Sequence, residues 1–233
     1  SLGEALAAID AVDAFHLATK VRLMPEDLER RSIREIVRDS MAGSLDRLGV
    51  ERVTLLQLHN SLTSSRGEQP TSLTPEDVLD PGGVLEAMRE LRDEGLVGHL
   101  GLTGIGQSAA MREVVASGEF DTMQVPFNLL NPTAGVDAPG RAETDYGNII
   151  ADCRVQQMGV FAIRVFAGGA LLSRPPAKHT FTTKFFPLDL YQRDVARARR
   201  LADRLVPDHS LHETAVRFVL SHPGLSAAII GFS

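Results

Sequence analysis

Lys20 directly follows Leu17-Ala18-Thr19, and His59 directly follows Leu55-Leu56-Gln57-Leu58. A lysine that closes an apolar run has three chemical uses. Its cation stabilises an anion, it lowers the pKa of a neighbouring phenol, or, once desolvated, it attacks a carbonyl as a free amine. The plainer alternative is a surface or helix-start lysine, since lysines are seldom buried. A histidine in the same setting either polarises a carbonyl or relays a proton as neutral imidazole, or is a hydrogen-bonded core residue. Thr103 follows Leu100-Gly101-Leu102, and Gln124 lies inside Met123-Gln124-Val125-Pro126-Phe127-Asn128, so polar groups recur just where apolar runs stop.

Two glycine-rich stretches and one arginine add to this set. Gly101-Leu102-Thr103-Gly104-Ile105-Gly106 has glycines, but not at the spacing of a dinucleotide fingerprint, and reads as a tight strand-to-helix turn. Gly168-Gly169 is either a strand-end turn or a place where backbone amides approach a phosphate. Arg164 stands inside the apolar run 160–166, where a buried guanidinium requires a carboxylate or a ligand. Other charges are ordinary. Glu76-Asp77 after Pro75 suits the first turn of a helix, and Arg197, Arg199, Arg200 and Arg204, interleaved with Asp194 and Asp203, read as a solvated helix face.

The elements that position these residues alternate regularly. Residues 15–19, 53–58, 96–102, 122–127, 160–166 and 227–232 are short apolar runs without strict alternation, as expected of parallel strands covered on both faces. Between them lie helical patterns. Ile33, Ile36, Val37, Met41, Leu45 and Leu48 form one stripe ending at Gly49; Leu85, Met88 and Leu91 lead to Gly95, and Met111, Val114 and Val115 to Gly118. Ser210 and Glu213 have capping-box spacing before Ala215, Val216, Val219 and Leu220. Such β-α alternation implies an α/β sheet, open or closed, and six strands suit a (β/α)8 TIM barrel with about six of its eight strands present. The long linkers 61–81 and 131–144 follow strand C-terminal ends, the catalytic side of a barrel. The chain starts within an amphipathic-helix pattern and stops right after a strand pattern, so the expectation is one barrel domain over 1–233, truncated or incompletely ordered at both ends.

Composition excludes several classes. A net charge of −6 argues against a nucleic-acid or acidic-membrane partner. The lone Cys153 cannot close a disulfide within the chain or build a cysteine zinc site, which points to a reducing compartment and a buried helix cysteine, and no metal is expected. No apolar stretch approaches the roughly 20 residues of a membrane span, and the start lacks signal-peptide character. A cytoplasmic protein acting on a small molecule is the expectation.

Five segments, in order, resemble the aldo-keto reductases: Leu17-Ala18-Thr19-Lys20-Val21; Ser44-Leu45-Asp46-Arg47-Leu48-Gly49 running into Leu55-Leu56-Gln57-Leu58-His59-Asn60; Gly95-Leu96-Val97-Gly98-His99-Leu100-Gly101-Leu102-Thr103; Gln124-Val125-Pro126-Phe127-Asn128; and Ala228-Ile229-Ile230-Gly231-Phe232-Ser233. The segment 59–102 most resembles a bacterial branch with aldose and pyridoxal dehydrogenases. The resemblance implies an NAD(P)-dependent oxidoreductase that interconverts aldehydes, ketones or aldoses with alcohols, with NADP as the default cofactor and NAD as the alternative. It implies Lys20 and His59 as catalytic residues. It places Thr103 and Gln124 on the nicotinamide carboxamide, Arg164, Ala167, Gly168, Gly169 and Leu171 along the pyrophosphate, and Gly231, Phe232 and Ser233 at the adenosine phosphate.

The chain departs from the pattern at Gly104, where asparagine is frequent, at Ile163, where many members stack a tyrosine on the nicotinamide, and at Gly231, where some place a basic residue. The resemblance also implies a catalytic tyrosine and a lysine-pairing aspartate upstream of the segment matching residues 1–6. Tyr146 and Tyr191 match no such motif, so residues 1–233 alone are expected not to reduce carbonyls efficiently. Two other functions fit the residues: an aldolase-type barrel forming an imine on Lys20, and a non-catalytic, cofactor-binding interaction protein of the same fold, like the potassium-channel β subunits.

Overall fold

Each of the six apolar runs contributes a strand, and the computed structural model orders them β1 to β6 in one sheet, in chain order. It describes residues 2–9, 14–138, 140, 144–176, 178–181, 187–204 and 210–231. The described chain forms two compact units, Ser1–Met123 with Val155–Met158, and Gln124–Arg154 with Gly159–Ser233.

In the first unit the order is α1 (Leu2–Ala8), β1 (Ala18–Val21), α2 (Pro25–Leu28), α3 (Ile33–Leu48), β2 (Val53–Leu58), α4 (Pro75–Leu79), α5 (Val84–Asp93), β3 (Val97–Thr103) and α6 (Ser108–Ala116), followed by β4 (Thr122–Pro126), on which the unit ends at Met123. β1 pairs parallel with β2, and β2 parallel with β3. Strand β1 starts later than its apolar run. Phe15 and His16 are exposed, and only from Leu17 onward do side chains enter the core, so the strand takes in Lys20 rather than ending before it. The core lies under β2 and β3, where Leu56, Leu58, Leu100 and Leu102 are buried with Val37 and Met41 of α3 and Met88 and Leu91 of α5.

The helix ends follow local chemistry. Ser32 Oγ accepts from the Glu35 amide at 3.3 Å while Glu35 accepts from the Ser32 amide at 2.9 Å, closing a capping box on α3. The helix stops at Gly49, whose φ of 67° is the left-handed conformation glycine adopts without penalty. Thr74 and Asp77 make the same box on α4, with Pro75 in its first turn. On α3 the inner face includes Ser44, which accepts from Thr19 Oγ1 at 3.1 Å and so ties the helix to β1 beside Lys20.

In the second unit α7 (Ile149–Val155) precedes β5 (Gly159–Ile163), and a 3₁₀ segment (Ala167–Leu172) leads to α8 (Leu188–Ala202), α9 (Leu211–Leu220) and β6 (Ala227–Ala228). β5 pairs parallel with β6. The run 160–166 is cut short as a strand because Arg164 turns the backbone, with φ at 57°. The last run forms only two strand residues, and Ile229 is exposed. Ser210 accepts from the Glu213 amide at 3.3 Å as its spacing predicts, while the Glu213 carboxylate pairs with Arg217 at 2.8 Å. Arg199, Arg200 and Arg204 are exposed as expected, but Asp194 turns into the core and Arg197 donates to the Leu130 carbonyl at 2.8 Å, so that face is only partly solvated. Cys153 is buried in α7, and burial pushes its thiol up to about 12. No helix among the described residues is long and apolar enough to cross a membrane.

Candidate active site

The strand register of the first unit aligns the polar residues. Lys20 faces Gln57, and Gln57 faces Gly101, across three neighbouring strands. Side chains alternate along a strand, so the next row on that face, two residues further, is Arg22, His59 and Thr103. The ladder continues into this row, since the His59 amide donates to the Val21 carbonyl at 2.8 Å. This row lies at the C-terminal ends of the strands, where barrel enzymes carry their chemistry.

Gln57 is fully buried, and Gly101 makes room for it. A Cβ at Gly101 would stand 2.8 Å from Gln57 Cγ and 2.5 Å from Thr122 Oγ1. The outer row opens from one side: Thr103 is buried, His59 half-buried and Arg22 exposed, and Lys20 in the row before it is half-buried. Arg22 Nη2 stands 3.0 Å from His59 Nδ1 and 3.1 Å from Nε2. A guanidinium has no acceptor, so it donates to whichever ring nitrogen lacks its proton.

That arrangement sets the protonation states. Burial, then the charges of Lys20 and Arg22, lower the His59 pKa to about 4, which leaves a neutral imidazole at neutral pH. Burial and then Arg22 also lower the pKa of Lys20. Among the described residues no carboxylate pairs with Lys20 or Arg22.

Asn60 anchors the turn behind this row. Its buried Oδ1 accepts from the Leu23 amide at 2.9 Å, and its Nδ2 donates to the Leu23 carbonyl at 2.8 Å and the Thr71 carbonyl at 2.6 Å. Three backbone groups, the two of Leu23 buried, therefore depend on one side chain, and Arg22 enters the row from a fixed backbone. The loop after Asn60 is also tied. Leu62 bridges both Leu73 and Gly106, Thr63 donates to the Leu73 carbonyl at 3.0 Å, Gln107 accepts from the Ser64 amide at 2.8 Å, and Arg66 pairs with Asp77. Gly106, with φ at 134°, lets the Leu62 backbone approach where any Cβ would collide with it, so the glycine loop 101–106 is a turn closed by backbone. Thr103 Oγ1 is buried with no hydrogen-bond partner among the described residues.

The other residues singled out by sequence lie in the second unit. Gln124 is buried. Arg164 lines a cavity together with Asn128, Tyr146, Asp194 and Arg197. Burial lowers the pKa of its guanidinium, and Tyr146 and Asp194 act in the opposite direction. Its carbonyl accepts from the Ala167 amide at 2.7 Å and from Asn128 Nδ2 at 3.1 Å. Ala167, Gly168 and Gly169 all have positive φ, and the Gly169 and Leu171 amides donate to the Phe166 carbonyl, so three amides of this segment are spent on its own turn. The Ala167 and Leu171 side chains belong to an apolar cluster with Leu130, Tyr191 and Ala215. Gly231 is exposed, and Phe232 and Ser233 lie outside the described residues. Neither tyrosine is poised as an acid: Tyr191 donates to the Arg174 carbonyl, and burial pushes Tyr146 up to about 12.

The family model described as "Aldo/keto reductase family" matches residues 1–233. The chain belongs to the aldo/keto reductase family. Among curated relatives, it is 23% identical to the "Uncharacterized oxidoreductase YqkF" of Bacillus subtilis (strain 168) over 198 residues, covering 84% of this chain and 56% of that protein. It is 25% identical to the "D-threo-aldose 1-dehydrogenase" of Pseudomonas sp over 230 residues, covering 97% and 60%. Among solved structures, the holo form of aldo-keto reductase AKR11C1 from Bacillus halodurans superposes with a TM-score of 0.67 at 18% identity, covering 97% of this chain and 65% of that one. Its apo form gives 0.64 at 20% identity, with 100% and 65% covered. The chain thus spans less than two thirds of each of these proteins. The structural likeness establishes the fold, the (β/α)8 barrel of the aldo/keto reductases, of which the described residues carry six strands.

Sequence reading placed Lys20, His59, Thr103 and Gln124 on one face of the sheet; the register aligns Lys20 with Gln57 and, by alternation, sets His59 and Thr103 in the next row of that face. It overlooked Arg22 and gave Asn60 no role. The signal for Arg22 was available: two residues beyond Lys20 on a strand is the same face.

Proposed function

We propose that the protein is an oxidoreductase that interconverts carbonyls, namely aldehydes, ketones or aldoses, with alcohols, using NADP, with NAD as the alternative. The observation that carries this reading is the half-buried pair Lys20 and His59, one a lysine with its pKa lowered and the other an imidazole held neutral, in a chain of this family. We read residues 1–233 as one barrel domain of a cytoplasmic protein whose partner is a small-molecule carbonyl or alcohol substrate.

A nicotinamide cofactor, when bound, supplies or accepts the hydride. The buried Thr103 hydroxyl, which has a hydrogen bond to offer, suits its carboxamide. Gln124, Arg164, Ala167, Gly168, Gly169, Leu171, Gly231, Phe232 and Ser233 are the further positions assigned to it by family resemblance. The chain's own residues act on oxygen. A neutral His59 keeps one ring N–H to donate to the substrate carbonyl, polarising it. As the carbonyl becomes an alkoxide, the nearby Lys20 cation stabilises the developing charge, and lowers the pKa of the tyrosine that the resemblance implies as proton donor. Such acid catalysis contributes roughly 10² to 10⁴ in rate.

The test is turnover of a reactive aldehyde with NADPH by the complete polypeptide. Lys20→Met is expected to lower kcat on the order of 10²-fold or more. Borohydride trapping of a carbonyl substrate on Lys20 would instead establish an imine-forming enzyme, and tight NADPH binding without turnover of a broad aldehyde panel a non-catalytic family member.

A further inference from the structure

Arg22 is not needed by the chemistry just described, and it works against its neighbours. Its charge pushes protons off both Lys20 and His59. A guanidinium placed two residues from a lysine, on the same face and against a half-buried histidine, is an electrostatic cost to the free protein. That cost is offset when an anion arrives. The setting favours one: the chain carries a net charge of −6, yet no described carboxylate pairs with Arg22 or Lys20, so a local basic spot stands in an acidic protein. Clefts with one sign of charge concentrate ligands of the other. Even with Lys20 paired to an upstream aspartate, as the family resemblance implies, Arg22 keeps the N–H donors of its other two nitrogens, since only Nη2 stands against the imidazole.

We propose that Arg22 is a specificity-determining residue that recognises an anionic oxygen group, a carboxylate or a phosphate, on the carbonyl substrate. This rests on the oxidoreductase reading for its catalytic context. A planar guanidinium grips either group through two parallel hydrogen bonds. Arg22 is exposed while Lys20 and His59 are half-buried, so the anionic end of the substrate lies outward and the carbonyl inward. Asn60 is then a positioning residue, because its bonds to Leu23 hold the backbone from which Arg22 projects.

The experiment compares matched aldehydes on the complete polypeptide with NADPH. Butanal is set against succinic semialdehyde for the carboxylate arm, and glyceraldehyde against glyceraldehyde 3-phosphate for the phosphate arm. One charged aldehyde is expected to have the higher kcat/KM. Arg22→Gln should lower the charged-to-neutral ratio by roughly 10- to 100-fold, the worth of charge-assisted hydrogen bonds, and Arg22→Lys should restore part of it. Calorimetry with succinate and with inorganic phosphate at neutral pH gives a readout independent of turnover, binding to the parent and not to Arg22→Gln. If neutral aldehydes turn over, and Arg22→Gln alters charged and neutral substrates equally, the inference is overturned and the oxidoreductase reading stands. If no aldehyde turns over, that reading fails, and the calorimetry alone decides whether Arg22 holds an anion.

Discussion

The two units each place a guanidinium beside a possible ligand site, and they treat it in opposite ways. In the second unit Arg164 is largely buried, and the Asp194 carboxylate offsets part of the cost of that burial. In the first unit Arg22 is exposed, its neighbours are a lysine and a histidine, and no described carboxylate answers it. The difference separates two uses of charge. A compensated buried charge organises the fold and is costly to disturb, whereas an uncompensated exposed one contributes little to stability and is available to a ligand.

The sharpest way to break this comparison is to remove the compensating group. Asp194→Ala, which strips a carboxylate from around Arg164 and Arg197, should destabilise the protein by about 4 kcal/mol in urea denaturation, while Arg22→Gln should change stability by no more than about 0.5 kcal/mol. Equal losses would erase the distinction. Next in size is Asn60→Ala. The first unit owes its rigidity near Arg22 to neutral hydrogen bonds, so leaving Leu23 and Thr71 groups unpaired should cost about 3 kcal/mol; a near-silent substitution would mean that Asn60 positions nothing.

Gly101→Ala comes third, at roughly 2 kcal/mol from overpacking against Gln57 and Thr122. The smallest effect is electrostatic. The folded-state pKa of His59, about 4, lies below the 6.5 of an unperturbed histidine. Between those values the unfolded chain binds more protons, so this residue's contribution to stability is present above pH 6.5 and is lost as pH falls toward 4. His59→Gln should flatten the stability profile in that window. In an NMR titration Arg22→Gln should move the His59 midpoint upward only part of the way back, because burial is the larger cause.

The strands and helix stops were legible because each rests on local rules: apolar runs for β2, β3 and β4, a serine cap and a terminal glycine for α3. What misled was position relative to the sheet. Phe15 is as apolar as any strand residue but is exposed, and Arg164 ends β5 through a backbone angle that composition does not encode. The site was half legible. Lys20 and His59 stood out because they follow apolar runs. Arg22, between Val21 and Leu23, reads as an ordinary surface charge until the register sets it beside His59. Asp194 and Arg197 failed the other way, since a charged helix repeat looks solvated when two of its members turn inward.

The loop that follows Asn60 is rich in serine, threonine and glycine, the composition of a mobile lid. Its backbone is nevertheless bridged at Leu62 to both Leu73 and Gly106, and its side is held by Gln107 and Asp77. The entropy of ordering this segment is therefore spent during folding and not when a ligand arrives. On the proposed reading, a substrate reaching Arg22 and His59 meets an edge already in place and waits for no closure of this loop.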